Sequence, residues 1–388
     1  MRTFGKWLGR IFLMLILAAL SVYALKREEI TRLLAVNSLF SEEKIISNFS
    51  NMDTLFLATE IDKGDTPVSV LPNGTDMTMP ASFNAWAKDR TVTGMVVLKD
   101  GQKVHESYYQ DTAPEDLRIS WSVAKSYLSS LMGIVISEGL IDINEQVTTY
   151  VPLLKGTAYD GASVLNVLQM SSGVTFDEDY LDFKSDINRM GRVLAMGGTM
   201  DGFAAGLTET FVEPGKQFQY VSIDTHVLGM IIRGATGRSI PELLSDKIIT
   251  KLGYEQSPLY VTDGEGVAFV LGGLNIRTRD YARFGQMVLQ NGEYNGAQVV
   301  PADWLAAATV PSANTKEGKL HYGYQWWMPK DPREGEFFGI GVYGQYIYIN
   351  RPHGVVIAVN SADRKFKESG VTDGNIALFR EIAETAGG

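Results

Sequence analysis

The stretch "SWSVAKSYLSSLMGIVISEGLIDINEQV" (residues 120–147) puts Ser122 and Lys125 three residues apart at the front of a long apolar run. Val123, Leu128, Leu131, Met132, Val135 and Ile136 recur at helical spacing. The run therefore predicts a buried helix over 121–138 that Gly139 ends. Positions i and i+3 share a helix face, which brings Lys125 within reach of the Ser122 hydroxyl. Burial penalises the charged form of a lysine, lowers its pKa and lets it accept a proton. The free N–H groups at the helix start favour negative charge beside the serine. A hydroxyl can become a nucleophile in this way without a histidine. The structural alternative is an N-cap serine followed by a snorkelling lysine. Ser-x-x-Lys occurs a second time, at Ser41-Glu-Glu-Lys44, with no buried helix behind it, where a solvated turn is expected.

Bulk properties remove several other chemistries. The chain has 388 residues, enough for one large two-lobed domain or two domains, and 45% hydrophobic against 21% charged residues is ordinary for a folded protein. It has no cysteine, so disulfides, thiol nucleophiles and zinc–thiolate sites are excluded. His105, His226, His321 and His353 form no His-x-x-x-His pair, which argues against a zinc site. Gly-x-Ser-x-Gly is absent, and so is the phosphate loop GxxxxGK[ST]. The net charge is −10, and residues 1–32 alone carry +4, leaving −14 on the rest. An acidic body does not suit nucleic acid, which requires a basic surface.

At the N-terminus, Arg2, Lys6 and Arg10 precede an uncharged apolar run, Ile11–Leu25, and Lys26 and Arg27 follow it. A positive leading end and an apolar run fit an uncleaved membrane anchor or a cleaved secretory signal, with Val22-Tyr23-Ala24 as a mediocre cleavage site. Both readings put the body in the cell envelope, either anchored in the inner membrane outside the cytoplasm or released to the periplasm. The expected organisation is an anchor or signal with a stalk in residues 1–35 (polar helical character continues to 50), an irregular segment over 36–84, and one domain over 85–388. Val92–Leu98, Asp100-Gly101 and Lys103–Tyr109 read as a strand, a tight turn and a strand. "YGQYIYINRPHGVVIAVNSA" (343–362) repeats that pattern, and "DGNIALFREIAETA" (373–386) reads as a helix. Helical stretches lie between, at 121–138, 161–170, 222–236, 240–252 and 278–290. The reading is an α+β fold: an antiparallel sheet from both chain ends, flanked by helices, with a mostly helical lobe inserted over about 156–265 and a cleft between the lobes.

With these stretches in place, the sequence resembles the serine β-lactamase / penicillin-binding-protein-like superfamily, most closely its 6-aminohexanoate-dimer hydrolase and class C-related esterase branch. The resemblance covers about residues 85–385. It is carried by the opening stretch and, in order, by "VLQMSSGVTFDEDY" (167–180), "PGKQFQYVSIDTHVLGMII" (214–232), "GGLNIRTRDYARFGQMVLQNGEYNG" (272–296), "YGYQWW" (322–327) and "FFGIGVYGQYIYI" (337–349). It implies a β-lactamase/transpeptidase-like fold and a serine hydrolase that works through an acyl-enzyme, with no metal or organic cofactor.

The family's motifs map as follows. Ser122 is the implied nucleophile and Lys125 its base. The second motif falls on Tyr220-Val-Ser222, with serine where asparagine is usual, and a partly ionised Tyr220 would relay a proton to the leaving group. The third, usually Lys-Thr-Gly, falls near Gly339–Gln345 and has no cation. There Val342 and Ser122 would supply the oxyanion-hole N–H groups, and Gly341 would approach the substrate. Tyr180 would meet the substrate from a loop whose acidic run, Asp177–Asp179, reads as solvated. Asn275 and Trp327 would line the cleft. A missing cation at the third motif points to a small ester or amide rather than a carboxylate-bearing β-lactam. A D,D-peptidase or weak β-lactamase, and a non-catalytic envelope-binding protein, are the alternatives. No nucleic-acid partner is implied, and the oligomeric state is not legible.

Overall fold

The computed structural model describes residues 2–387. Strands β1 (Ala58–Glu60), β2 (Val92–Lys99), β3 (Gln102–Tyr108), β4 (Leu117–Ile119), β5 (Leu259–Val261), β6 (Leu274–Arg277), β7 (His321–Tyr322), β8 (Trp327–Met328), β9 (Glu336–Gly341), β10 (Gln345–Asn350) and β11 (Val355–Ser361) make two antiparallel sheets. The helices used below are α1 (Arg2–Leu25), α2 (Arg27–Ser38), α3 (Ile45–Ser50), α4 (Met52–Leu55), α5 (Ala124–Ser137), α6 (Asp186–Ala195), α7 (Ser222–Thr236), α8 (Thr278–Leu289) and α9 (Val371–Gly387).

Both chain ends meet in the larger sheet, whose order is β3-β2-β11-β10-β9-β8-β7. Asp100 and Gly101 both take left-handed φ angles (49° and 79°), as a two-residue hairpin requires, and close β2 onto β3. β2 is buried on both faces. Met95 and Val97 pack with Phe379 and Ile382 of α9, while Val96 and Leu98 face the main core with Phe284 and Met287 of α8. Alternation along a doubly covered strand explains its unbroken apolar sequence. Helix α8 lies close on the sheet, since a Cβ on Gly285 would stand 2.5 Å from Val356.

The smaller sheet, β1-β5-β6-β4, positions the site. β4 pairs Ile119 with Asn275 of β6 and runs directly into Ser120–Ser122. Its edge strand β1 comes from the segment expected to be irregular, which also carries α4. The segment expected to be a polar stalk docks on the domain as well. Buried Arg118 of β4 donates to the Ile46 carbonyl (3.0 Å) and to Ser50, and Arg32 of α2 donates to the Ala195 carbonyl at the end of α6 (2.8 Å). Polar sequence hid this docking because its apolar contacts are few and widely spaced: Leu39, Ile45, Phe49, Met52 and Phe56.

Two helical expectations change in detail. Residues 240–252 form Ile240–Leu244, a π-turn and Thr250–Leu252 rather than one regular helix, and 161–170 shortens to Val164–Leu168 behind a Ser163/Asn166 capping box. The N-terminal run is a single helix, α1; among the described residues no helix is long and apolar enough to cross a membrane. The run Gly339-Ile-Gly341-Val-Tyr-Gly344 has the G-x-G-x-x-G spacing of a dinucleotide-binding turn. It is not one: a tight turn with Tyr343 and Gly344 at φ 61° and 86° joins β9 to β10, and no helix follows to receive a phosphate.

Candidate active site

Ser122 sits in a single 3-10 turn, Trp121–Val123, between β4 and α5. The residue before it, Trp121, holds φ at 43°, a left-handed angle that costs a non-glycine residue energy and persists where packing imposes it. Phe40 and Phe49 of the N-terminal segment supply that packing, with ring centroids 5.7 and 5.5 Å from the indole. On the other side β9 presses against the turn. A Cβ on Gly341 would lie 2.6 Å from the Ser120 carbonyl and 3.1 Å from the Ser122 nitrogen, so only glycine lets the strand come this close. Gly341 thus brings the following Val342 beside the nucleophile, and Ser122 and Val342 both border one cavity.

Lys125, on the first turn of α5, is buried. Its Nζ donates to the Leu271 carbonyl (2.8 Å) and to Ser222 Oγ (3.4 Å) and lies 5.5 Å from the centre of the Tyr220 ring. Ser222 therefore stands between the lysine and the tyrosine. The side chains of Ser122 and Ser222 lie beside the Tyr220 phenol and oppose the rise of its pKa. Burial pulls Lys125 down from its ordinary value to about 7, against the opposing charges of Glu178 and Asp224. The same burial, reinforced by Glu178, pushes the Tyr220 phenol far above its ordinary range. This direction opposes the partly ionised tyrosine implied by the resemblance and favours a neutral Tyr220.

Glu178 is the residue that sequence reading missed. Its Oε1 accepts from the Tyr180 hydroxyl (2.6 Å) and from Ser222 Oγ, and its Oε2 accepts from the Ser222 N–H (3.0 Å). Its neighbours Asp177 and Asp179 are exposed, as expected for an acidic loop, but Phe176, Glu178 and Tyr180 alternate inward. That period of two was a signal in the sequence; three consecutive acids obscured it. Behind the site, Asp224 of α7 is buried. Tyr159 (2.8 Å) and Ser172 (2.9 Å) donate to its Oδ1, its Oδ2 has no partner, and burial pushes its carboxyl up to about 7.

The structure brings Ser122, Lys125, Tyr220, Ser222, Tyr180 and Val342 together. Trp327 stands outside this group, against the Tyr220 ring (centroids 5.4 Å apart), with Tyr322 and Phe218 around it. Asn275 is placed differently from its expected position along the cleft. It is buried in β6, and its amide donates to the Gly273 carbonyl at 2.8 Å, because its side chain falls on the inner face of the small sheet.

The sequence matches the Beta-lactamase family over residues 83–380. It is 34% identical over 289 residues to the 6-aminohexanoate-dimer hydrolase of Paenarthrobacter ureafaciens, covering 70% of this chain and 74% of that one. A solved structure named "Putative 6-aminohexanoate-dimer hydrolase" from Bacillus anthracis superposes with a TM-score of 0.76 at 23% identity, over 89% of this chain and 95% of the other. A D-stereospecific amidohydrolase from Streptomyces shares the fold at a TM-score of 0.53 and 17% identity, over 74% of this chain and 98% of its own. With its Ser-x-x-Lys turn at the centre of that fold, the chain belongs to the β-lactamase family and is a serine hydrolase of the β-lactamase-like superfamily.

Proposed function

We propose that the protein hydrolyses an ester or amide bond of a small molecule through an acyl-enzyme on Ser122. The observation that carries this reading is the buried Lys125 one turn after Ser122, brought down to about 7, donating to Ser222 Oγ and standing 5.5 Å from the Tyr220 ring. Ser122 Oγ attacks the carbonyl carbon, and its proton passes toward neutral Lys125. The N–H groups of Ser122 and Val342 receive the oxyanion. Collapse breaks the bond to the leaving oxygen or nitrogen, which takes a proton from Tyr220, and the phenol is refilled from Lys125. Water then repeats the sequence on the acyl-enzyme and releases the acid. The amidohydrolase activity named for the Streptomyces neighbour falls within this scheme, since a neutral tyrosine can protonate an amine as it leaves. Rapid quenching of a p-nitrophenyl acetate reaction should give intact protein heavier by one acetyl group, mapped to the Ser122 peptide. A burst with no acyl adduct, or an adduct elsewhere, would overturn the reading.

A β-lactam carboxylate finds no cation at Gly339–Gln345. The missing charge-assisted hydrogen bond is worth roughly 1.5–3 kcal/mol, or about ten- to a hundredfold in acylation. After correction for intrinsic reactivity, kcat/KM for p-nitrophenyl butyrate is expected to exceed that for nitrocefin. Efficient nitrocefin turnover would favour the D,D-peptidase or β-lactamase alternative.

We also infer that α1 holds the enzyme at a membrane. Phe4, Trp7, Phe12, Leu13 and Leu15 of this helix are exposed large apolar side chains, and Lys6, Arg10, Lys26 and Arg27 flank them. The full chain should sediment with membranes. Removal of residues 1–26 should yield soluble, active enzyme, because the first side chain bordering the cavity is Val36. A full chain found only in the soluble fraction, or a mature N-terminus at Leu25, would refute the anchor.

A further inference from the structure

A cavity of about 120 Å³ opens beside Ser122. Its walls come from three separate parts of the chain. The N-terminal segment supplies Phe40, Met52 and Phe56, α6 supplies Met190, Gly191 and Leu194, and the loop and strands before and after Gly272 supply Val261, Phe269 and Leu271. No bordering residue is charged, and the polar ones are few. Two of these, Ser122 and Ser222, mark the catalytic end. The Asn188 amide nitrogen donates to the carbonyls of Asp179, Tyr180 and Asp182 and to Ser185 Oγ. The indole N–H of Trp121 is the one bordering side-chain atom among the described residues that is buried without a partner. It is a donor and has nothing to offer an ammonium group. The Glu178 carboxylate does not border the cavity and already accepts from three donors.

The cavity also has a definite side. The leaving group must depart beside Tyr220, which supplies its proton, and Tyr220 does not border the cavity but faces Trp327 and Tyr322. The space beside Ser122 therefore falls to the acyl part of the substrate. We propose, on the basis of the acyl-enzyme reading above, that it is an acyl pocket for an uncharged hydrocarbon chain of about four to six carbons, walled on one side by the N-terminal segment. The length follows from the volume, since an apolar cavity of about 150 Å³ holds benzene. The preference for an uncharged end follows from the walls: an ammonium or carboxylate carried to the far end would lose its water and gain no charged partner.

Gly191 gives a direct handle. It lies within α6, borders the cavity, and a Cβ built on it meets nothing within 4 Å. A leucine there enters the cavity instead of the core, and it replaces a glycine in a helix, where glycine is unfavourable.

The test is a series of p-nitrophenyl esters on the full chain in detergent. kcat/KM should rise about fourfold per methylene and reach about 250-fold over acetate at hexanoate, since each of the four added methylenes is worth that factor. It should level or fall beyond hexanoate. The 6-aminohexanoate ester, of equal length with an ammonium end, should be at least about fiftyfold poorer than hexanoate. In Gly191→Leu the hexanoate-to-acetate ratio of kcat/KM should drop below about ten. A flat profile in an enzyme that still hydrolyses acetate and acylates Ser122 would overturn the pocket and leave the hydrolase reading standing. So would equal use of hexanoate and 6-aminohexanoate esters, or an unchanged ratio in Gly191→Leu. Failure of every ester to acylate Ser122 would remove both.

Discussion

Ser122→Ala is expected to lower ester turnover by about 10³- to 10⁶-fold and to abolish covalent labelling by a fluorophosphonate. The size of the effect follows from the role. The substitution removes the hydroxyl that borders the cavity from the constrained turn, and water held there lacks the fixed geometry of a side chain. Folding should survive, because a half-buried hydroxyl is lost from a turn whose shape is set by Trp121 and Gly341; circular dichroism and the melting temperature check this. Ser41→Ala is the matched control. Ser41 precedes a turn, and Lys44 beside it is exposed. Retained activity in Ser122→Ala, or loss in Ser41→Ala, would displace the nucleophile from the turn before α5.

Lys125→Met should cost about 10²- to 10⁴-fold in kcat/KM, the usual range for a general base, and should change the pH profile. The amine accepts a proton only when neutral. kcat/KM of the parent enzyme is therefore expected to fall tenfold per pH unit below about 7 and to reach a plateau above it. Asp224, also brought to about 7, shares this buried field, so the acid limb belongs to the pair. Asp224→Asn should displace the limb, whereas Lys125→Met should remove it. No phenolate limb is expected from Tyr220, whose phenol is held far above the working range. Stability carries the same signature. Between about 7 and the ordinary lysine value of 10.5 the unfolded chain holds a proton on Lys125 that the folded chain does not. Unfolding free energy should thus rise with pH across that window, and Lys125→Met should lose that slope. A parent enzyme with a flat profile from pH 5 to 9 would mean that Lys125 is not the base.

The sequence by itself determined the elements and their order. The apolar face behind Ser122 had only one way to be buried, as a central helix, and Gly139 ended it with a left-handed angle of 76°. Asp100-Gly101 dictated the first hairpin, and the two strand–turn–strand patterns at opposite chain ends had to pair because each carried apolar residues on both faces. Ser122, Lys125 and Tyr220 were legible because helical spacing and ordered motifs survive in one dimension.

Tertiary structure alone decided the surroundings of those groups. Whether Tyr220 is neutral depends on burial and on Glu178, which lies far from it in sequence and reaches it only because alternate residues of its loop turn inward. Asn275 left the cleft because β4 and β5 both pair with it in β6, a register that no local pattern encodes. The segment with the character of a stalk became a wall of the cavity through scattered contacts, Phe40 stacked on Tyr343 (4.7 Å) and Arg118 on the Ile46 carbonyl. Periodicity reports which face of an element is apolar. It does not report which distant element will cover that face, and pKa values and pocket walls are set by that covering.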